Sequence, residues 1–169
     1  MDNTSEARLK EICPALADRV RKGVELLAAQ GITVKVIQAL RSWAMQQELW
    51  QQGRDINGNV IVKGKVVTDA PPGYSYHEFG LAVDVAPFDV EGKPIWNYVI
   101  SPGKEAWEAI EKIAPDIQLF SGACFHTITD RPHWQCVELS PSPTDEDRWL
   151  LREGGMQAVW SEYKLDQED

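Results

Sequence analysis

The stretch SYHEFGLAVDV, residues 75–85, decides how this chain is read. Its second half runs on into LAVDVAPF (81–88), apolar enough for a buried strand. Asp84 lies inside that strand, where a bare carboxylate is costly unless it is paired or bound to a metal. His77 precedes Asp84 by seven residues, an odd offset that a straight strand would put on opposite faces. Gly80 permits a bend between them, so His77 on a loop and Asp84 on the strand can converge.

A second polar setting, DRPHWQ (130–135), follows downstream. Pro132 fixes the backbone between Asp130 and His133 and holds Arg131 extended. His77, Asp84 and His133 together make a two-histidine, one-carboxylate set with an open fourth position, the pattern of catalytic zinc. Asp130 then becomes the candidate general base, with Glu78, beside His77, next in line. The plainer readings are a turn-capping Asp130 and a satisfied strand histidine at 133. A rival closed zinc site is Cys124, His126, His133 and Cys136. Against it, His133 and Cys136 are three apart in a strand and face opposite ways, and both cysteines suit small buried positions.

Outward from these motifs, the spacing of Leu9, Ile12, Leu16, Val20, Val24 and Leu27 predicts helix over 5–29, with Pro14 starting a second helix and Gly31 stopping it. ITVKVIQAL (32–40) predicts a strand. Ser42 is the expected N-cap of a helix ending before Gly53, with Trp43 and Trp50 packed in the core. Residues 55–68 carry Asn-Gly and Lys-Gly turns and read as a hairpin or long loop. Ser101-Pro102 opens a helix carrying Trp107, Ile110 and Ile113, and HWQCVEL (133–139) is the last strand. A final helix starts at Thr144 or Asp145, breaks at Gly154-Gly155 and resumes through Trp160. Strands and helices mix without a βαβ rhythm, so the expected fold is α+β in one small domain: residues 1–140 as its catalytic body, with 141–169 a helical extension packed on it.

Composition narrows the function. The 169 residues suffice for one domain burying roughly 70% of its unfolded surface. Seventeen Lys and Arg against 26 Asp and Glu give a net charge of −9, which argues against nucleic acid or an anionic lipid surface as partner. No apolar run reaches the roughly 18 residues that cross a bilayer. MDNTSEARLKEIC shows no basic and apolar signal pattern, and three cysteines are too few for a disulfide framework. The expectation is a chain folded in a reducing cytoplasm.

These motifs resemble the zinc D-alanyl-D-alanine carboxypeptidase and L-alanyl-D-glutamate endopeptidase family of bacterial cell-wall peptidases and phage endolysins. The family pattern S-x-H-x-x-G-x-A-x-D is met by Ser75, His77, Gly80, Ala82 and Asp84, and its acidic residue before Pro-His by Asp130, Pro132 and His133. R-S-x-x-x-Q-x-x-L-W-x-x-G-R runs from Arg41 through Gln46, Leu49, Trp50, Gly53 and Arg54, and TDAPPGYS (68–75) resembles the family lead-in. The likeness spans about residues 30–139. It implies an antiparallel sheet flanked by helices, one zinc held by His77, Asp84 and His133, Asp130 as base, and Arg41 as substrate and oxyanion clamp. Tyr74, Tyr76 and Trp134 flank the expected site in the sequence, so Ser75, Tyr76 and Trp134 are expected to contact the stem peptide of peptidoglycan, with ordinary packing as the plainer reading of the aromatic residues. The arginine signature and the Pro-His-Trp ending resemble the L-alanyl-D-glutamate endopeptidases more than the D-Ala-D-Ala dipeptidases. SGACFH (121–126) replaces a Gly-Gly-x-Trp stretch of relatives and is expected to line the groove. The expected protein is a monomeric, endolysin-like enzyme made in a host cytoplasm and acting on the wall after release, without inserting in a membrane. The alternatives are a D-Ala-D-Ala carboxypeptidase and a metal-stabilised, non-catalytic wall-binding domain.

Overall fold

Two N-terminal helices form where Pro14 divides the apolar periodicity. In the computed structural model, which describes residues 1–126 and 129–165, α1 spans Asn3–Leu9 and α2 spans Pro14–Ala28. The Asp2 carboxylate caps α1 by accepting from the N–H groups of Thr4 and Ser5. Gly31 ends the α2 region at φ +80°, a left-handed turn that suits glycine, and the chain enters β1 (Thr33–Gln38). Leu16, Val20, Val24 and Leu27 of α2 are buried in the core.

Four strands build one antiparallel sheet in the order β1-β2-β4-β3, with β2 at Ala82–Phe88, β3 at Leu119–Ser121 and β4 at His133–Cys136. β3 carries no sequence expectation because three residues are too few to show a period. β4 is shorter than the 133–139 run, since Val137 and Glu138 turn outward and are exposed. The β1–β2 register slips between Val36 and Gln38, which puts Gln38 beside Asp84. Such irregularities occur often next to active sites.

Ser42 caps α3 (Trp43–Gln51) by accepting from the Met45 N–H. Trp43 departs from the expected core position: it is half exposed, at 51%. α3 buries only Gln46 fully; the Trp43 ring lies against Gly73, and Trp50, half-buried, lies against Gly58. Residues 55–68 form a loop instead of a hairpin, with a single Arg54–Val60 bridge and one 3-10 turn at Lys63–Lys65. The Arg54 guanidinium ties this loop down, donating to the carbonyls of Trp50 and Thr68 and pairing with Asp69.

α4 (Gly103–Ile113) buries Ala106, Trp107 and Ile110. α5 (Asp145–Glu162) starts at the Thr144 cap and breaks at Gly155 (φ 71°, ψ −171°). Its second half buries Val159, and Trp160 Nε1 donates to the Phe79 carbonyl at 2.8 Å. Val159 and Leu165 belong to the same continuous core as Leu9, Leu16 and Phe79, so the last helix packs into the interior shared with the rest of the chain. No helix among the described residues is long and apolar enough to cross a membrane.

Candidate metal centre and active site

Asp84 and His133 are direct partners in the β2–β4 register, so their side chains share one face of the sheet. His77 arrives from a 3-10 turn, Tyr76–Phe79, that precedes β2. Gly80 closes that turn at φ +65°, where a side chain would be strained and would press on Ile12 and Trp160. The bend read from the sequence is therefore present. His77 Nε2 lies 3.2 Å from Asp84 Oδ1 and 3.3 Å from His133 Nδ1, and His133 Nδ1 lies 3.7 Å from Asp84 Oδ1. Among the described residues this is the one cluster that brings three metal-ligating side chains together.

The outer ring nitrogens explain why the inner ones face a common point. His77 Nδ1 is 2.8 Å from the Ala39 carbonyl, which can only accept, so the proton sits on Nδ1 and Nε2 keeps its lone pair. His133 Nε2 is 2.9 Å from Gln135 Oε1, leaving its Nδ1 inward. Asp84 Oδ1 is buried and has no hydrogen-bond partner among the described residues. Two imidazole lone pairs and a carboxylate oxygen repel unless a cation lies between them, so this donor set fits zinc. Burial alone would raise the Asp84 carboxyl, but the two imidazoles outweigh it and hold the group well below the usual carboxylate range. Burial likewise disfavours the His133 cation, yet Asp84 and Asp130 raise its pKa, so a proton competes for the position the metal would take.

Asp130 stands beside this cluster without belonging to it. Its N–H donates to the Gly122 carbonyl and its own carbonyl accepts from the His133 N–H, at 3.0 and 3.1 Å. A Cβ at Gly122 would come within 2.5 Å of the Asp130 oxygen and 2.8 Å of His133 Cβ, so this turn needs glycine there. Burial, followed by the negative charge of Asp84, raises the Asp130 pKa. Phe125, from the SGACFH stretch, lies 5.3 Å from the His133 ring.

Arg41 meets the same site. Its N–H donates to the His77 carbonyl, Nη2 lies 3.4 Å from Asp84 Oδ2, and Nη1 donates to Gln46 Oε1 at 2.8 Å. Gln46 Nε2 in turn donates to the Ala70 carbonyl. Arg41 Nε is buried and has no partner among the described residues. The sequence motif contained Gln46 and Gln135 without assigning either a role. The signal was available for Gln135, which lies two residues from His133 and so on the same strand face.

Several expected site residues are elsewhere. Tyr76 and Trp134 are interior, at 2% and 0% exposure, so both belong to the core and present no open surface to a substrate. Trp134 packs over Gly23, where a Cβ would sit 3.3 Å from its ring. Trp134 follows His133 in β4 and points to the opposite side, because neighbours in a strand alternate faces, whereas Tyr76 packs edge-on against Phe79 within the 3-10 turn. Ser75 stays half buried at the N-cap of the His77 turn, and Tyr74 is exposed beneath the Arg148 guanidinium at 4.0 Å. Glu78 is engaged within its own turn, where its carboxylate accepts from the N–H groups of Gly73 and Ser75. The cysteine site does not assemble, for Cys124 is exposed while Cys136 is buried with its thiol pushed up to about 12 by desolvation.

The sequence profile described as VanY, D-alanyl-D-alanine carboxypeptidase, matches residues 10–118. The chain belongs to this family. The matched stretch holds Arg41, His77 and Asp84 and stops before Asp130 and His133, which the tertiary structure adds to the site. The peptidoglycan L-alanyl-D-glutamate endopeptidase CwlK of Bacillus subtilis (strain 168) is 34% identical over 113 residues, covering 65% of this chain and 64% of that relative. The L-Ala D-Glu endopeptidase ChiX of Serratia marcescens shares the fold at a TM-score of 0.52, with 24% identity over 80% of this chain and 88% of that one. A vancomycin-resistance D,D-pentapeptidase VanY, solved in complex with Zn(II), also shares it at a TM-score of 0.52, with 18% identity over 88% of this chain and 81% of that one.

Proposed function

We propose that this chain is a zinc-dependent peptidoglycan peptidase that cleaves the L-alanyl-D-glutamate bond of the stem peptide. The observation that carries it is the convergence of His77 Nε2, His133 Nδ1 and Asp84 Oδ1 on one point, with Asp130 and Arg41 beside them. The choice of bond rests on the likeness to CwlK. When bound in a three-ligand site, zinc supplies a Lewis acid that makes water nucleophilic near neutral pH.

The chain's own residues do the rest. Asp130 takes the water's proton on a carboxylate whose raised pKa makes it a better acceptor than an exposed aspartate, a role typically worth about 10²- to 10⁴-fold. Arg41, held by Gln46 and Asp84, presents a fixed positive charge to the oxygen on which negative charge develops. A purely structural zinc site needs neither group, which speaks for catalysis over a binding-only domain. We further propose that the protein works as a monomer on the cell wall, in an endolysin-like role after release from the cytoplasm.

Mass spectrometry of fragments released from purified peptidoglycan tests the reading. New N-terminal D-glutamate is expected; release of terminal D-alanine alone would assign the chain to the carboxypeptidase activity for which its family is named. No release at all would leave only a binding role.

A further inference from the structure

We propose that Gln135 is a positioning residue of the metal centre, whose side-chain carbonyl keeps the His133 proton on Nε2 and thereby commits Nδ1 to the metal. The inference rests on the zinc reading above. His133 and Gln135 are two apart in β4, so both project from the same face, and Gln135 is only 3% exposed. Its Oε1 lies 2.9 Å from His133 Nε2.

An amide can present either end to an imidazole, and the far end decides which. Gln135 Nε2 donates to the Ser140 carbonyl at 3.2 Å, and a carbonyl only accepts. The NH₂ end is therefore locked toward Ser140 and the oxygen toward His133. The reversed amide would aim N–H at Nε2, set two carbonyls against each other at Ser140, and drive the ring proton onto Nδ1, where the metal belongs. Ser140 begins the segment that leads to the Thr144 cap of α5. The orientation of a metal ligand is thus set from the C-terminal part of the chain, beyond the 10–118 stretch that the family profile matches.

Two variants separate this role from packing. Gln135→Met keeps length but removes the acceptor; Gln135→Glu still accepts from Nε2–H. In chelator competition with zinc alone, Gln135→Met is expected to bind about 10- to 100-fold more weakly, and Gln135→Glu close to wild type. In ¹⁵N–¹H spectra of the zinc-loaded wild type, His133 is expected to be bound through Nδ1, with a slowly exchanging proton on Nε2 that exchanges faster in Gln135→Met. Coordination of His133 through Nε2 in the wild type overturns the proposal, even if Gln135→Met fails to fold. So does unchanged zinc affinity in Gln135→Met, or an equal loss in both variants, since only the methionine lacks the acceptor. Failure of the wild type itself to bind zinc overturns the metal reading first and is distinguishable from these results.

Discussion

Asp84 Oδ2 lies 3.4 Å from Arg41 Nη2 while Asp84 Oδ1 faces both histidines, so one carboxylate joins the metal cluster to its neighbouring cation. Each oxygen has a separate task. Loss of Asp84 therefore removes a ligand and releases Arg41 together, and Asp84→Ala is expected to lose zinc and activity. Asp84→Asn keeps the shape but replaces one acceptor oxygen with donors, so metal analysis should show weakened zinc there as well.

Asp130 separates base from ligand. Asp130→Asn retains the turn made by its backbone with Gly122 and His133, so zinc content and Tm should stay near wild type. Its kcat should fall by about 10²- to 10⁴-fold, because an amide cannot take the proton. A metal assay and a wall-turbidity assay on one sample read both quantities. Loss of zinc in this variant would make Asp130 a ligand.

Arg41 is expected to act on chemistry and leave the metal in place. Arg41→Ala should lower kcat by about 10²- to 10³-fold with zinc retained, the cost typical of losing one donor to a developing oxyanion. Arg41→Lys keeps charge but cannot bond Gln46 and the site at once, so it should recover only part of the loss. A selective rise in KM for either variant would instead assign Arg41 to ground-state binding.

Trp134 tests the interior placement of a residue that the sequence put at the substrate. Trp134→Ala should destabilise the protein by about 3–5 kcal/mol, as for other fully buried large residues. Denaturant unfolding of the metal-free protein reads this directly. A folded variant of unchanged stability with a raised KM would return Trp134 to the groove.

The Arg19–Glu138 pair gives a pH dependence with a definite sign. Arg19 holds Glu138 with both guanidinium nitrogens, at 2.8 and 2.7 Å, and lowers its pKa. The folded pKa lies below the unfolded value of about 4.3, so this stability is present above that pH and is lost as pH falls through the folded pKa. The pair is partly exposed, so the contribution should stay under about 1 kcal/mol. Arg19→Ala should therefore lose more Tm at pH 7 than at pH 3 in thermal melts.

Some of this protein could be read without coordinates. Asp84 in an apolar strand, Gly80 at the bend and Pro132 before His133 are local features, and each constrains the backbone within a few residues. The convergence of His77, Asp84 and His133 followed from them, as did the two N-terminal helices divided at Pro14 and the break at Gly155. Strand alternation also held the clue that Trp134 faces away from His133, but a side chain's face has meaning only once the sheet has a covered side, and Tyr76 sits in a turn to which no such alternation applies. Tertiary structure alone put Trp134 over Gly23, left Trp43 half in water, and formed β3 from three residues. It also wired Arg41 through Gln46 to Ala70, and His133 through Gln135 to Ser140. Periodicity and spacing report what a residue does to its own backbone. Burial and hydrogen-bond partners depend on segments that arrive from elsewhere in the chain, and those are chosen by packing the whole core.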